Sequence, residues 1–465
     1  MAQPDTRKKL AFAAADIYGG GSFNIVNFLY PGFLAITVGI SPYWIGVVIL
    51  IARIWDAVTD PVMGHISDRT QSRLGKRRIY LVLAAPFVLL SMYLLFFPYA
   101  FPETGLRVIA VTLSYLVFTS VQTSVMIPYY SLSSEISSDY QKRASFNSFR
   151  LGFSLFSSIL CVAVPGIIVE SFDDQALGYQ VMSLSFGLLF ALSVLVTGLF
   201  AREEIRTPKV MRKPSFKGMF KLLSLRPFRQ YLGMYLMLQM SMAIMSGLFF
   251  FYADFFITQG KTANDEATLV GMIGAALMFS MQIVALPVYL RIIGKKGKAY
   301  AYRIGAFLWI VTALSIIFVP ANVNPAVVYL IAGLMGFGIS GAALVPHTMY
   351  GDVVDVGQLK FGDRLDGQMS GFTNFINKIA QAAGLAFVMF LIGLAGFTEQ
   401  VPGGPPVLTQ PDSATLMIRL ILSFAPLVFM GTGIWISYRY RIDVNQQRVI
   451  KEAIDSIRPD RAAIV

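Results

Sequence analysis

The sequence predicts an all-α membrane protein of twelve transmembrane helices in two six-helix halves, and three observations carry that expectation. Hydrophobic side chains make up 55% of the 465 residues and charged ones 14%, against roughly 25% charged in soluble domains. The apolar residues fall into twelve runs, each long enough to cross a hydrocarbon core of about 30 Å at about 1.5 Å of rise per residue. Basic residues gather in alternate connections between those runs. The predicted spans are 8–36, 42–65, 78–99, 106–132, 144–170, 178–201, 229–257, 266–292, 299–319, 324–350, 367–397 and 414–438.

The chain opens MAQPDTRKKLAFAAAD, a basic flank without a small-residue cleavage site behind a short apolar core, so the first run is expected to stay in place as span 1. Span 2 leads into Arg69, Arg73, Lys76, Arg77 and Arg78. Lys142 and Arg143 follow span 4, and a basic stretch from Arg202 to Arg229 follows span 6. Arg291, Lys295, Lys296 and Lys298 follow span 8, Lys360 and Arg364 follow span 10, and Arg439 and Arg441 follow span 12. The intervening connections, such as YAFPETG, SFDDQALGYQ and VPANVNP, carry almost no positive charge. The positive-inside rule then puts both termini in the cytoplasm of a plasma membrane, expected to be a bacterial inner membrane. The net charge of +12 is read as topology and contact with anionic membrane lipids; nucleic acid is not an expected partner. Cys161, the single cysteine, lies in an apolar run, which excludes an internal disulfide and a cysteine metal site.

The longest polar interruption, EEIRTPKVMRKPSFKGMFKLLSLRPFRQ at 203–230, falls between six spans and six spans. It sets the expected division: an N-terminal half at 1–201, a cytoplasmic middle loop at 202–228, a C-terminal half at 229–438 and a cytoplasmic tail at 439–465. Phe216, Met219, Phe220 and Leu223 recur at helical spacing within the loop, which fits either an amphipathic helix on the membrane surface or a partly ordered linker. Ile450, Ile454 and Ile457 mark a similar face in the tail. The halves are faintly alike: IPYYSLSSEISSDYQKR leaves span 4 and VPHTMYGDVVDVGQLKFGDR leaves span 10, each with a proline, then acids, then an arginine.

A charge at the centre of a spanning helix costs about 2.5–3.5 kcal/mol on insertion scales, so each one should face a cavity or a partner. The charged candidates are Asp16, Asp56, Asp60, Arg150 and Lys378. Asn24, Asn27, Thr59, Gln122, Thr123, Asn147, Asn374 and Asn377 are the uncharged ones. Asp56 and Asp60 are four residues apart, hence one turn apart on the same face of span 2. Two anions so placed repel unless a cation lies between them or one carboxyl is protonated. With Thr59 and Thr123 they form an oxygen set suited to a hard monovalent cation; the alternative is a structural pair neutralised by Arg53, Arg150 or Lys378. Pro61 behind them frees a backbone carbonyl one turn earlier. Farther along, Gly64 is expected to allow close helix approach and Asp68 to end the helix. Arg69, Arg73 and Arg77 are expected either to latch that end or simply to form a solvated basic loop.

At this point a resemblance becomes specific. Six plus six helices with cytoplasmic ends is the layout of a major facilitator, and DAVTDPVMGHISDRTQSRLGKRR resembles the signature of the glycoside-pentoside-hexuronide:cation symporters, the melibiose permease group. DVVDVGQLKFGDRLDGQMSG, at 352–371, is similar to that family's second signature, and the twelve-span layout covers essentially the whole chain. The resemblance implies that Asp56 and Asp60 bind a coupling cation, Na+ or H+, and that Asp16 and Arg150 contact a sugar. It also implies that Lys378 lies near both sites. The chain departs from the melibiose permeases at Met126, where they carry an aspartate, and at Tyr130, where they carry a tryptophan.

The function expected is secondary active transport, a cation gradient driving uptake of a glycoside or related small polar solute by alternating access, with the protein a monomer and no further cofactor. Asp16 would accept from sugar hydroxyls, Arg150 donate to them, and Tyr130 stack on an apolar ring face. Asp352, Asp355 and Arg364 join Gly64, Asp68, Arg69, Arg73 and Arg77 as the expected cytoplasmic gate. A lysolipid or lipid transporter of the same fold is the alternative. A membrane-embedded enzyme is disfavoured, because His65 and His347 are the only histidines and neither HExxH nor GxSxG occurs. GGGS at 19–22 follows no predicted strand and reads as helix packing, and no ATP-binding motif points to a primary pump.

Overall fold

The computed structural model describes residues 4–465 apart from 137–139, 202–220, 254–255, 257–265, 321–322, 362–365, 399–408, 441, 443–445, 447–448, 451 and 454–465. The amphipathic face expected at 216–220, most of the tail face and Arg364 lie outside the described residues. Helices dominate what is described, as the solvent requires: in hydrocarbon every backbone N–H and C=O must be satisfied within the chain. They are α1 (Pro4–Ala13), α2 (Asp16–Gly32), α3 (Pro42–Arg69), α4 (Arg78–Leu95), α5 (Thr104–Glu135), α6 (Tyr140–Glu170) and α7 (Gln175–Phe200). After the middle loop come α8 (Arg226–Tyr252), α9 (Glu266–Lys296), α10 (Lys298–Ser315), α11 (Pro325–Phe361), α12 (Asp366–Leu394) and α13 (Asp412–Ser437).

Ten of the described helices are long and apolar enough to cross a membrane by length and composition. The first two predicted spans are not among them. Span 1 is divided into α1 and α2, neither of which reaches 18 residues, and span 2 is the 28-residue α3, which carries Arg53, Asp56 and Asp60. The chain is an integral membrane protein; twelve spans with both termini cytoplasmic is our proposal.

The chain forms two compact units. Unit 1 comprises Met1–Lys209, Ser246–Ala276 and Leu385–Ile418; unit 2 comprises Val210–Met245, Leu277–Gly384 and Arg419–Val465. Within unit 1 Gly64 is not a point of close approach, since an added Cβ there would meet only Ile127 at an ordinary 3.8 Å. Gly46 of α3 is one, and seats directly on α12: a Cβ there would lie 3.1 Å from both the Cα and the carbonyl oxygen of Ala386. Beside it Phe28 meets Phe249, with centroids 6.2 Å apart, and Tyr43 meets Phe390. Two arginines, Arg107 buried and Arg419 half-buried, close carbonyl ends. Arg107 donates to Val38 O (2.8 Å) and Gly39 O (2.6 Å) in unit 1, and Arg419 donates to Val319 O (3.0 Å) in unit 2. Cys161 is buried against Ser157, 3.6 Å away.

Candidate functional site

The site begins with an interruption that nothing in its local sequence demands. Ala13, Ala14 and Ala15 are strong helix formers, yet the helix breaks between α1 and α2 immediately before Asp16. The cause comes from α7. The Thr197 hydroxyl sits in the backbone ladder, accepting from Ala15 N at 2.9 Å and donating to Ala11 O at 2.7 Å, the two groups that an unbroken helix would join. Phe12 O, the next carbonyl to lose its helical partner, accepts from the Tyr129 hydroxyl at 3.0 Å. A side chain inserted into the i to i−4 ladder is a known cause of a kink. Here it leaves no carbonyl of the break unsatisfied at Ala11 or Phe12 and puts Asp16 at the first turn of α2, where the helix dipole favours an anion.

Asp16 is buried, and its carboxylate Oδ2 lies 3.8 Å from Arg150 Nε on α6. That Nε is buried and makes no hydrogen bond. The Arg150 guanidinium also lies over the Tyr130 ring, 5.5 Å from its centroid. Tyr130 of α5 thus borders the Asp16–Arg150 pair. Met126, one turn before it, packs against Gly19 beside the Asp16 carboxylate.

Asp56 and Asp60 converge on one hydroxyl. Thr123 Oγ1 of α5 is 2.9 Å from Asp56 Oδ1 and 3.0 Å from Asp60 Oδ1. A threonine hydroxyl carries a single hydrogen and two lone pairs, so it cannot donate fully to two carboxylates. It donates to one of them at a time and offers its lone pairs to whatever else enters the group. The Thr59 hydroxyl donates back to Asp56 O at 3.3 Å. Trp55 Nε1 donates to Ser120 Oγ at 2.8 Å and fixes α3 against α5 just above the pair. Arg53, weighed as a neutralising partner, instead donates to Asn27 Oδ1 at 3.0 Å and lies over Phe23.

At the basic end of α3, Arg77 is buried, pairs with Asp68 and donates to Ser67 Oγ at 2.7 Å. Arg69 and Arg73 are exposed. In unit 2 the matching region pairs differently: Lys298 meets Asp352 at 2.6 Å and also donates to Thr348 O, while the Tyr440 hydroxyl donates to Asp352 at 3.4 Å. Burial and that carboxylate hold the Tyr440 phenol well above the usual tyrosine range. Asp355 and Lys378 are half-buried in unit 2, on α11 and α12. Sequence reasoning missed Thr197, Tyr129 and Lys298. Each acts through a residue distant in sequence, and a threonine in an apolar run carries no local signal of its partner.

The helical architecture and buried charge pairs define a membrane transporter of the major facilitator type. Solved structures share the fold: a bacterial homolog of the human lysosomal transporter Spinster has a TM-score of 0.66 at 12% identity, covering 95% of this chain and 98% of that one. The nucleoside transporter NupG has 0.60 at 12% identity, covering 94% and 98%. The family model described as MFS/sugar transport protein matches residues 11–444, and the chain belongs to that family. Among curated proteins it is similar to an uncharacterized symporter of Synechocystis sp., 26% identical over 96% of this chain and 98% of the relative. It is 23% identical to the sodium-dependent lysophosphatidylcholine symporter 1-B of Danio rerio, over 98% and 92%. It is 25% identical to YagG of Escherichia coli, provisionally named a glycoside/cation symporter, over 98% and 96%.

Proposed function

We propose that this transporter is a symporter in which a monovalent cation at Asp56, Asp60 and Thr123 drives accumulation of a glycoside or related small polar solute held by Asp16, Arg150 and Tyr130. The observation that carries the reading is the buried Arg150 Nε, which makes no hydrogen bond 3.8 Å from Asp16. A buried donor left unmade costs about 1–3 kcal/mol, and a solute oxygen bridging Arg150 and Asp16 recovers it. Tyr130 offers an apolar face to a sugar ring. Sodium is placed ahead of the proton: two carboxylates and a hydroxyl give a hard cation the oxygen donors it prefers, and relatives are named sodium-dependent.

The second reading, transport of a lysolipid, rests on the same pair. An anion and a cation 3.8 Å apart are complementary to a zwitterionic headgroup, with phosphate on Arg150 and a quaternary ammonium against Asp16 and the Tyr130 ring. The similarity to a lysophosphatidylcholine symporter supports it. One experiment tests both: uptake into proteoliposomes of a panel of glycosides and of lysophosphatidylcholine, under an imposed sodium gradient and then an imposed pH gradient. Glycoside accumulation supports the first reading, and lysolipid uptake alone replaces it with the second. The proposed topology has its own test: a cysteine at Thr70 is labelled only from the cytoplasm and one at Glu103 only from outside, and the reverse pattern inverts it.

A further inference from the structure

Where α9 turns into α10 and α13 ends, unit 2 carries a set of cations that the transport site does not use. Gly297, with φ at +87°, makes the one-residue turn from Lys296 to Lys298 in a conformation that disfavours any side chain. That turn brings Lys295 and Lys296 beside the first turns of α10. Lys296 Nζ lies 4.7 Å above the Tyr300 ring and donates to its hydroxyl at 3.3 Å. Arg303 lies 6.0 Å from the same ring and 4.3 Å over Tyr438 at the end of α13. Arg439, the next residue, stacks 3.7 Å over Trp435. Trp435 and Tyr438 are exposed, as are Lys295, Lys296 and Arg439.

The donors are largely unspent. Arg303 uses its Nε on Ala299 O at 3.1 Å, leaving its two terminal nitrogens, and Arg439 makes no hydrogen bond through its guanidinium among the described residues. No carboxylate among the described residues pairs with Lys296, Arg303 or Arg439. The nearby Asp352 is taken by Lys298 and Tyr440. Two guanidinium groups held over aromatic rings, with terminal N–H groups left open, can meet phosphate oxygens in a bidentate manner. Exposed tryptophan and tyrosine at helix ends belong at the depth of lipid headgroups.

We infer that Lys295, Lys296, Arg303 and Arg439, framed by Tyr300, Trp435 and Tyr438, form a binding site for the phosphate of an anionic membrane phospholipid. Basic pockets between transmembrane helices take such headgroups, each cation adding attraction that bulk zwitterionic lipid does not return. The exposed rings seat the glycerol region while the cations hold the phosphate. The site needs neither the solute nor the coupling ion, so it stands whether or not the reading of the transport site survives.

The test is lipid retention by the full-length protein in detergent, read by native mass spectrometry and by thermal melting. Phosphatidylglycerol, cardiolipin and phosphatidylcholine are each titrated in turn. Wild-type protein is expected to retain the two anionic lipids and to melt higher with them, and to gain nothing from phosphatidylcholine. The double variant Arg303→Gln with Arg439→Gln should retain anionic lipid about tenfold less, while Arg7→Gln with Lys8→Gln, which removes two exposed charges elsewhere, should behave as wild type. If the glutamine pair does not fold, Arg303→Lys with Arg439→Lys decides: it keeps the charge but loses the stacked fork, so it should retain anionic lipid about threefold less. Undiminished retention in whichever of these variants is folded overturns the proposal, as does equal retention of phosphatidylcholine by the wild type.

Discussion

In unit 1, α2, α3, α5 and α6 bring Asp16, Asp56, Asp60, Thr123 and Arg150 into two small polar groups, one of them beside Tyr130. In unit 2, α8, α11 and α12 bring together rings instead. Tyr231 stacks on Tyr235 with centroids 5.9 Å apart, Tyr350 and Phe228 meet Tyr231, Phe372 meets Phe228, and His347 meets Tyr235 edge-on. The two units thus differ in the chemistry they bring together. Ionic contacts need desolvated charge at fixed distance and tolerate little error, whereas ring contacts are individually weak and adaptable. We propose that energy coupling belongs to unit 1 and adaptation to solute shape to unit 2.

The largest effect should come from Asp56. Asp56→Asn removes a charge that the cation needs, a loss of about 3 kcal/mol or more and roughly a hundredfold in cation affinity. Gradient-driven accumulation should fall to background, Asp60→Asn should impair it less, and solute exchange without a gradient should survive. Wild-type accumulation by both variants in proteoliposomes would make the paired acids structural. Arg150→Ala and Asp16→Ala come next, each expected to weaken solute binding by about tenfold to a hundredfold through a lost charged hydrogen bond. Isothermal titration with a confirmed solute checks this, and unchanged affinity in both variants would remove the solute site from unit 1.

A smaller effect sharpens the comparison without touching either charge group. Thr197→Val keeps shape but takes away the hydroxyl that bridges Ala15 N and Ala11 O, at about 1–2 kcal/mol of stability. The melting temperature should drop and solute affinity fall several-fold, with Thr197→Ser restoring both. Full function in the valine variant would mean that the break before Asp16 does not depend on α7. The smallest effect is expected in unit 2. Tyr235→Leu gives up ring contacts of about 0.5–1.5 kcal/mol, so solute preference should shift by roughly twofold to tenfold while the dependence on cation concentration stays put. A change in cation dependence instead would end the division of labour.

Much of the molecule is legible in its sequence because the bilayer is a demanding solvent. Long apolar runs report helices directly, and Asp56 and Asp60 stand out because charge is costly where they lie. What was not legible depends on distant partners. The break before Asp16 falls in three alanines, where propensity argues for an unbroken helix, and only the Thr197 hydroxyl explains it. Gly64 looked like the residue of close approach because it sits in a motif, whereas Gly46, in no motif, meets the Ala386 backbone. Thr59 stands out by position, and the structure adds that its hydroxyl donates to its own helix while keeping its oxygen lone pairs.

Arg107 and Arg419 bear on how the protein is made. In the proposed topology both lie near the outer surface, the side whose connections carry few positive charges. Each must therefore cross the hydrocarbon core during insertion, at about 2.5–3.5 kcal/mol for a charge at its centre. Their acceptors lie earlier in the chain: Arg107 ends on the carbonyls of Val38 and Gly39, and Arg419 on that of Val319. The nascent protein carries these two charges outward toward carbonyls already made, and then consumes them as fasteners. A topology count that weighs every arginine alike scores them as evidence against the orientation they help to lock.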